Sequence, residues 1–287
     1  MNDMQKIQGV PRYDLAQPQA WALITGASSG LGAIFARYLV QTGRCRHFYL
    51  LARREERLAE QAEQLKQWGA EAVLWTSVDL GVADARDRLP QAWAEAGIQH
   101  FSWVINAAGF GDAGRFEDLS LKQVEELCRL NIEALTALTH LVRPFLVRGS
   151  KVIQIASVAA FLPQPGFAVY AASKAYVLSF SRALQVEWKK AGIEVLSVCP
   201  GPMETEFFSR QAGGQGEISR IKRIGMESPH RVVQLAVDRA EKGRSLSLSH
   251  LSAYALRVLS KIVPHRWILA AMQGMGFGAS SEEKASH

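Results

Sequence analysis

Apolar and polar positions along this chain follow two alternating rhythms. Residues 21–25, Trp-Ala-Leu-Ile-Thr, form a short unbroken apolar run that predicts a buried strand, and residues 30–42 then space their apolar positions as a helix ending near Gly43. The alternation continues with strand 47–52, charged helix 55–68, strand 72–77, a helix around 83–96 and strand 101–106. A helix from about 121 to 147, strand 151–156, a helix from about 169 to 191 and strand 194–199 follow. Strands apolar throughout and joined by helices imply an α/β chain with a parallel sheet of about seven strands covered on both faces. Right-handed crossovers then give a doubly wound, three-layer αβα architecture, whose ligands sit beyond the carboxyl ends of the strands.

Past Pro200 the regularity loosens. Residues 203–225 are polar and Gly-containing, with AGGQG at 212–216, and read as a loop that orders over a substrate; a helix follows around 229–242. The resulting organisation is an extension over 1–19, a main domain over 20–250, a helical segment over 251–278 and a tail over 279–287 expected to be disordered. The helical segment has two readings. It covers the pocket, which is the favoured one, or its stretch 251–277 sits on membrane lipids through a cationic stripe of Arg257, Lys261 and Arg266 opposite Leu256, Leu259, Ile262 and Val263.

Composition narrows the function classes. At 287 residues with 48% apolar content the chain buries a substantial core as one large domain. Its 33 basic and 27 acidic residues leave a surplus of +6 with no long block of either sign, unlike the dense basic stripe of a nucleic-acid reader. Cys45, Cys128 and Cys199 lie far apart, in no CxxC or Cys/His cluster, so neither a structural metal nor a disulfide framework is expected. The first twenty residues lack a basic then apolar leader, and no run of about eighteen apolar residues occurs, so a cytoplasmic setting is expected.

The loop TGASSGLG at 25–32 joins the first strand to the first helix. Its glycines follow G-x-x-x-G-x-G, which is neither a Walker loop nor the usual G-x-G-x-x-G fingerprint. In a phosphate-binding role Gly26 permits the tight turn, Gly30 lets backbone approach a pyrophosphate, and Gly32 lets the helix pack closely on the strand. A plain Gly-rich turn is the competing reading.

The loop has company. Asn106-Ala107-Ala108-Gly109 follows the fourth strand, Asn131 falls within the next long helix, and Ser157, Tyr170-Ala-Ala-Ser-Lys174 and Pro200-Gly201 come after in that order. By these motifs, over roughly residues 20–245, the chain resembles the short-chain dehydrogenase/reductases, enzymes built on a single extended Rossmann-type domain. Ala107 departs from the second Asn more usual in that family.

Tyr170 and Lys174 are four apart on a predicted helix and so share a face. An ammonium nearby is expected to favour phenolate and lower the tyrosine pKa toward working pH. The resemblance implies that Tyr170 exchanges a proton with the substrate oxygen, Ser157 polarises the carbonyl, Lys174 also holds the nicotinamide ribose, and Asn131 holds a proton-relaying water. It further implies a cofactor cradle of Gly26, Ser28, Ser29, Gly30, Leu31, Gly32, Asn106, Ala107, Gly109, Pro200 and Gly201, joined by Asp79 at the adenine and Thr205 at the carboxamide. The second strand ends Ala52-Arg53-Arg54 without the acid that an NAD-specific member places there. Arg53 is therefore expected to pair with a 2′-phosphate, with Ser28 or Ser29 assisting, which favours NADP(H) over NAD(H).

Apolar stretches at 110–116 and 158–168, with the insertion 203–225, are the expected pocket walls and point to a hydrophobic ketone or secondary alcohol, such as a 3-ketoacyl, steroid-like or secondary-metabolite compound. The resemblance also implies a homodimer or homotetramer. Two alternatives stand beside the reductase: a non-catalytic dinucleotide-sensing protein on the same fold, and a membrane-peripheral lipid reductase.

Overall fold

The computed structural model describes residues 20–203 and 226–274. The expectations for residues 1–19, for most of the 203–225 insertion including Thr205, and for the tail lie outside the described residues. Seven parallel strands form one sheet in the order β3-β2-β1-β4-β5-β6-β7, built from β1 Trp21–Thr25, β2 His47–Ala52, β3 Ala72–Ser77, β4 Phe101–Asn106, β5 Leu146–Ile155, β6 Glu194–Val198 and β7 Leu246–Ser247. The strand order reverses between β1 and β4, and that is where a doubly wound sheet opens a crevice.

Helices cover both faces. On one, α1 (Gly30–Gln41), α2 (Glu55–Gln67) and α8 (Pro229–Glu241) bury Phe35, Leu39, Leu58, Leu65 and Val233 against Ile24, Phe48 and Leu50. On the other, Trp93 of α4 (Leu89–Glu95) lies fully buried, edge-on to Phe101 at 5.2 Å and Phe145 at 5.3 Å between ring centres. Both faces of the inner strands are thus covered, which is why those strands read as continuous apolar runs rather than as alternations.

Two predicted helices are broken. The one around 83–96 divides into α3 (Ala83–Asp87) and α4, because Pro90 in the first turn of α4 brings no backbone N–H to a continuous ladder. The one over 121–147 divides into α5 (Leu121–Cys128), a π turn over Arg129–Ala134 and α6 (Leu135–Val142), and ends in a short 3₁₀ turn, Arg143–Phe145. Pro144 stops it, and Leu146 already belongs to β5, opposite Phe101. β7, two residues long, is too short to show a period.

The long α7 (Ala168–Trp188) carries Tyr170 and Lys174. At the C-terminal side, α9 (Leu251–Ile262) and α10 (His265–Gly274) follow β7. α9 rests on the turn Val158–Phe161, as a pocket cover would, yet Ala253 is its only buried residue, and much of its apolar surface faces outward.

Close backbone packing fixes the glycine loop. A Cβ on Gly32 would lie 2.4 Å from the carbonyl oxygen of Gly26, whereas one on Gly30 would meet nothing within 4 Å. Gly30→Ala therefore meets only the strain of its φ of +55°, about 1–2 kcal/mol. Gly32→Ala forces α1 off the loop and is expected to destabilise by about 1–3 kcal/mol more than Gly30→Ala in urea unfolding; equal midpoints for the two variants would rule out the close-packing account.

Candidate active site

Two loops meet at the switch point. A Cβ on Gly26, whose φ is +64°, would sit 3.0 Å from the Ala107 carbonyl, and the Ala108 N–H donates to Thr25 Oγ1 at 2.9 Å. The turn after β1 and the turn after β4 are thereby locked together, with room left over Gly30. Ser29 precedes α1 in extended conformation without capping it through its side chain, and the first turn of α1 carries no acid. Unpaired N–H groups and the positive end of the helix dipole face that opening, an arrangement suited to a phosphate. Leu31 is half-buried and packs on the core beside it.

Above the same loop lies Arg54. Its Nη2 donates to Ser29 Oγ at 2.6 Å and to Ser28 Oγ at 3.2 Å. Arg53, the arginine expected here, has an exposed side chain, while its carbonyl accepts from Ser77 Oγ at 3.0 Å. Both arginines were visible as a pair in the chain, but not which of them turns back 25 residues to the loop. Asp79 is exposed just past β3 and accepts from the Gly81 N–H at 2.9 Å, closing a turn on that side of the crevice.

Asn106 is buried and works inside the sheet: its Nδ2 donates to Gln154 Oε1 at 3.0 Å and to Thr139 Oγ1 at 3.1 Å. Its Oδ1 is left without a partner. The side chain thus props the end of β4 from within, and the cradle surface is made by Ala107, Ala108 and Gly109 that follow. Gly109 allows close approach, since a Cβ there would stand 3.0 Å from Asn131 Oδ1 and 3.5 Å from Lys174 Nζ.

Asn131 sits in the π turn, buried. Its Nδ2 donates to the Phe110 carbonyl at 2.8 Å and to Ser173 Oγ at 3.1 Å, and its Oδ1 accepts from the Phe110 N–H at 3.1 Å. The amide therefore staples the loop after β4 to α7. Both amide protons are committed, so a water held here relies on the carbonyl groups. Arg86, buried, braces the same π turn by donating to Glu133 Oε1 at 2.5 Å and to the Leu80 carbonyl at 3.0 Å.

Ser157, just past β5, accepts from the Ala159 N–H at 3.1 Å and shares a hydrogen bond with the Tyr170 hydroxyl. Lys174 Nζ donates to the Ile155 carbonyl at 2.9 Å and lies 5.7 Å from the centre of the Tyr170 ring. The Val158 N–H donates to the Pro200 carbonyl at 3.0 Å, which ties this corner to the end of β6, and a Cβ on the adjoining Gly201 would stand 3.0 Å from Glu227 Oε1. Serine, tyrosine and lysine thus converge from β5 and one face of α7, with the Asn131 staple behind them.

The electrostatics differ from expectation in one respect. Burial pushes the Tyr170 phenol up to about 12, against the hydrogen bond from Ser157 that favours the phenolate. Burial likewise drives the Lys174 ammonium down to about 8. The expected lowering of the tyrosine by its lysine neighbour is not found, because burial of the phenol itself outweighs it. Cys199, which sequence reasoning left aside, is buried at the end of β6 and its thiol is pushed up to about 12 by burial, so it is a neutral floor under the pair. Around Tyr170 stand Leu127, Ala159, Phe110 and Phe167, an apolar wall drawn from α5 and from the 110–116 and 158–168 loops. Those two loops are joined by the Gly114 N–H donating to the Gly166 carbonyl at 2.9 Å.

The chain is similar to known proteins in sequence and in fold. Sulfoacetaldehyde reductase 2 of Chromohalobacter salexigens is 36% identical over 198 residues, which cover 67% of this chain and 76% of that protein. The very-long-chain 3-oxoacyl-CoA reductase of Anas platyrhynchos is 31% identical over 198 residues, 66% of this chain and 61% of that protein. Among solved structures, a short-chain dehydrogenase from Sphingobium yanoikuyae in complex with NADPH superposes with a TM-score of 0.72 at 28% identity, covering 89% of this chain and 94% of that one. Residues 20–215, which contain the glycine loop, the Asn131 staple and the Ser157, Tyr170 and Lys174 cluster, match the family described as short chain dehydrogenase, and the chain belongs to that family of oxidoreductases.

Proposed function

We propose that this protein is an NADPH-dependent reductase of a hydrophobic ketone. The observation that carries the reading is the buried cluster in which the Tyr170 hydroxyl meets Ser157 beneath an apolar wall, one helical turn from Lys174. A nicotinamide dinucleotide fits the chain's own residues: an uncapped helix N-terminus, open space over Gly30, and Arg54 on the loop serines with the exposed Arg53 next to it in the chain. When bound, it would supply hydride to the carbonyl carbon.

The protein's part is positioning and proton transfer. Ser157 holds the carbonyl oxygen, and Tyr170 gives that oxygen its proton. With its phenol pushed up to about 12, Tyr170 holds its proton at neutral pH, the form that reduction draws on. Lys174 lies one turn along the same face, where it can meet the ribose, and Asn131 keeps Phe110 and α7 in register around both. A polyketide ketoreductase of the actinorhodin system with NADPH, similar in structure at 26% identity with a TM-score of 0.70 over 79% of this chain and 95% of that one, lends support to a ketone substrate. The NADPH complex from Sphingobium yanoikuyae does the same for the cofactor.

Three results are expected. With apolar ketones and 3-ketoacyl thioesters, Tyr170→Phe lowers the rate of NADPH oxidation by about 10²–10⁴-fold while NADPH fluorescence titration stays near the native value; undiminished turnover would refute the assignment. Phenol is the competent form for reduction and persists below its pKa of about 12, so kcat/KM for reduction stays flat between about pH 5 and about pH 7 and any fall is centred near 8, where the buried Lys174 ammonium loses its proton, while oxidation of the alcohol climbs with pH. A reduction profile that falls through neutrality would contradict this. For the cofactor, Arg54→Ala and Arg53→Ala are each expected to reduce the ratio of NADPH to NADH efficiency, by about tenfold or more for the arginine that meets the 2′-phosphate. If both single variants and the double variant keep the native ratio, neither arginine reads that group.

A further inference from the structure

The C-terminal helices turn an apolar face outward. On α9, Leu251 (80% exposed), Val258 (55%), Leu259 (46%) and Ile262 (73%) lie on one side, and Ala253, the residue that seats the helix on the protein, lies on the other. Trp267 of α10 is 64% exposed. Packing on the domain accounts for the Ala253 side only. An exposed apolar face of this size marks a surface that meets something else.

The charge pattern says what. Between Glu241 and Glu282 the sequence has no Asp or Glu, while Lys261 and Arg266, both exposed, border the apolar residues of the two helices; Arg257, one turn from Ala253 and half-buried, lies on the seated side. We propose that α9 and α10 dock this protein on the surface of an anionic phospholipid bilayer. The apolar side chains enter the headgroup boundary and the basic ones meet lipid phosphates. No described helix is long and apolar enough to cross a membrane, so the contact is peripheral. A second copy of the chain fits less well. Two-fold pairing through this face would set the same cations near one another, with no acid in the segment to offset them.

α9 also rests on the turn Val158–Phe161, directly after Ser157, so docking through its outer face would bring the apolar wall of the active site near the lipid. The docking itself does not depend on which carbonyl is reduced.

The test is cosedimentation of the full chain with vesicles of phosphatidylcholine alone and of phosphatidylcholine with phosphatidylglycerol, accompanied by light scattering without lipid. The expected result is pelleting with the anionic vesicles at low salt, weakened at high salt. Leu259→Glu with Ile262→Glu, both at exposed positions, should lower binding by at least about tenfold. Neutralising Lys261 and Arg266 to Gln should lower it by roughly fivefold per charge. Failure to pellet with anionic vesicles at low salt would overturn the proposal, as would binding indifferent to both sets of substitutions. A lipid-free mass that falls when Leu259 and Ile262 become Glu would assign the face to a second copy instead.

Discussion

The contact on which everything else hangs is backbone against backbone. Gly32 in the first turn of α1 lies so close to the Gly26 carbonyl that no side chain fits between them, and Gly26 in turn abuts the peptide after Ala107. This draws α1 down onto the ends of β1 and β4 and leaves its amino terminus facing the crevice. The crevice floor and the open space over Gly30 follow from that approach. A side chain at Gly32 or Gly26 would relieve the contact only by moving backbone, whereas one at Gly30 meets open space.

The second constraint is dryness. Tyr170 and Lys174 are buried together with Cys199 and an apolar wall, and in such surroundings the neutral forms of phenol, amine and thiol are all favoured. Proximity of a cation was expected to dominate, but burial of the phenol outweighs it. Here the Lys174 ammonium is itself disfavoured and bonds to a backbone carbonyl. At neutral pH the phenol therefore keeps its proton.

Much of this was legible in the chain because the interior strands are buried on both sides. β1, β2, β3 and β4 have the predicted limits, each an unbroken apolar run ended by a turn. The glycine loop and the Tyr-x-x-x-Lys spacing also spoke for themselves, since both depend on local geometry. What stayed hidden depends on contacts between distant segments. The break in the 121–147 helix follows from the π turn that sets Asn131 against Phe110 and Ser173, and Pro144 alone hinted at its end. Arg54 rather than Arg53 reaches the serines because of where β2 ends and α2 begins, a matter of one residue. The outward face of α9 could not be told from an inward one by period alone, because helical spacing reports that a face exists and not which way it points.

Asn131 shows how a residue in the middle of a candidate site can be there for mechanics. Its one amide group grips a loop 21 residues behind it and a helix 42 residues ahead, and through them fixes where Gly109 passes and where Lys174 stands. Altering it moves the reacting groups apart before it removes any step of the chemistry. A kinetic defect at this position is therefore first a measurement of alignment, and the same logic makes the π turn the hinge pin of the site rather than an irregularity in a helix.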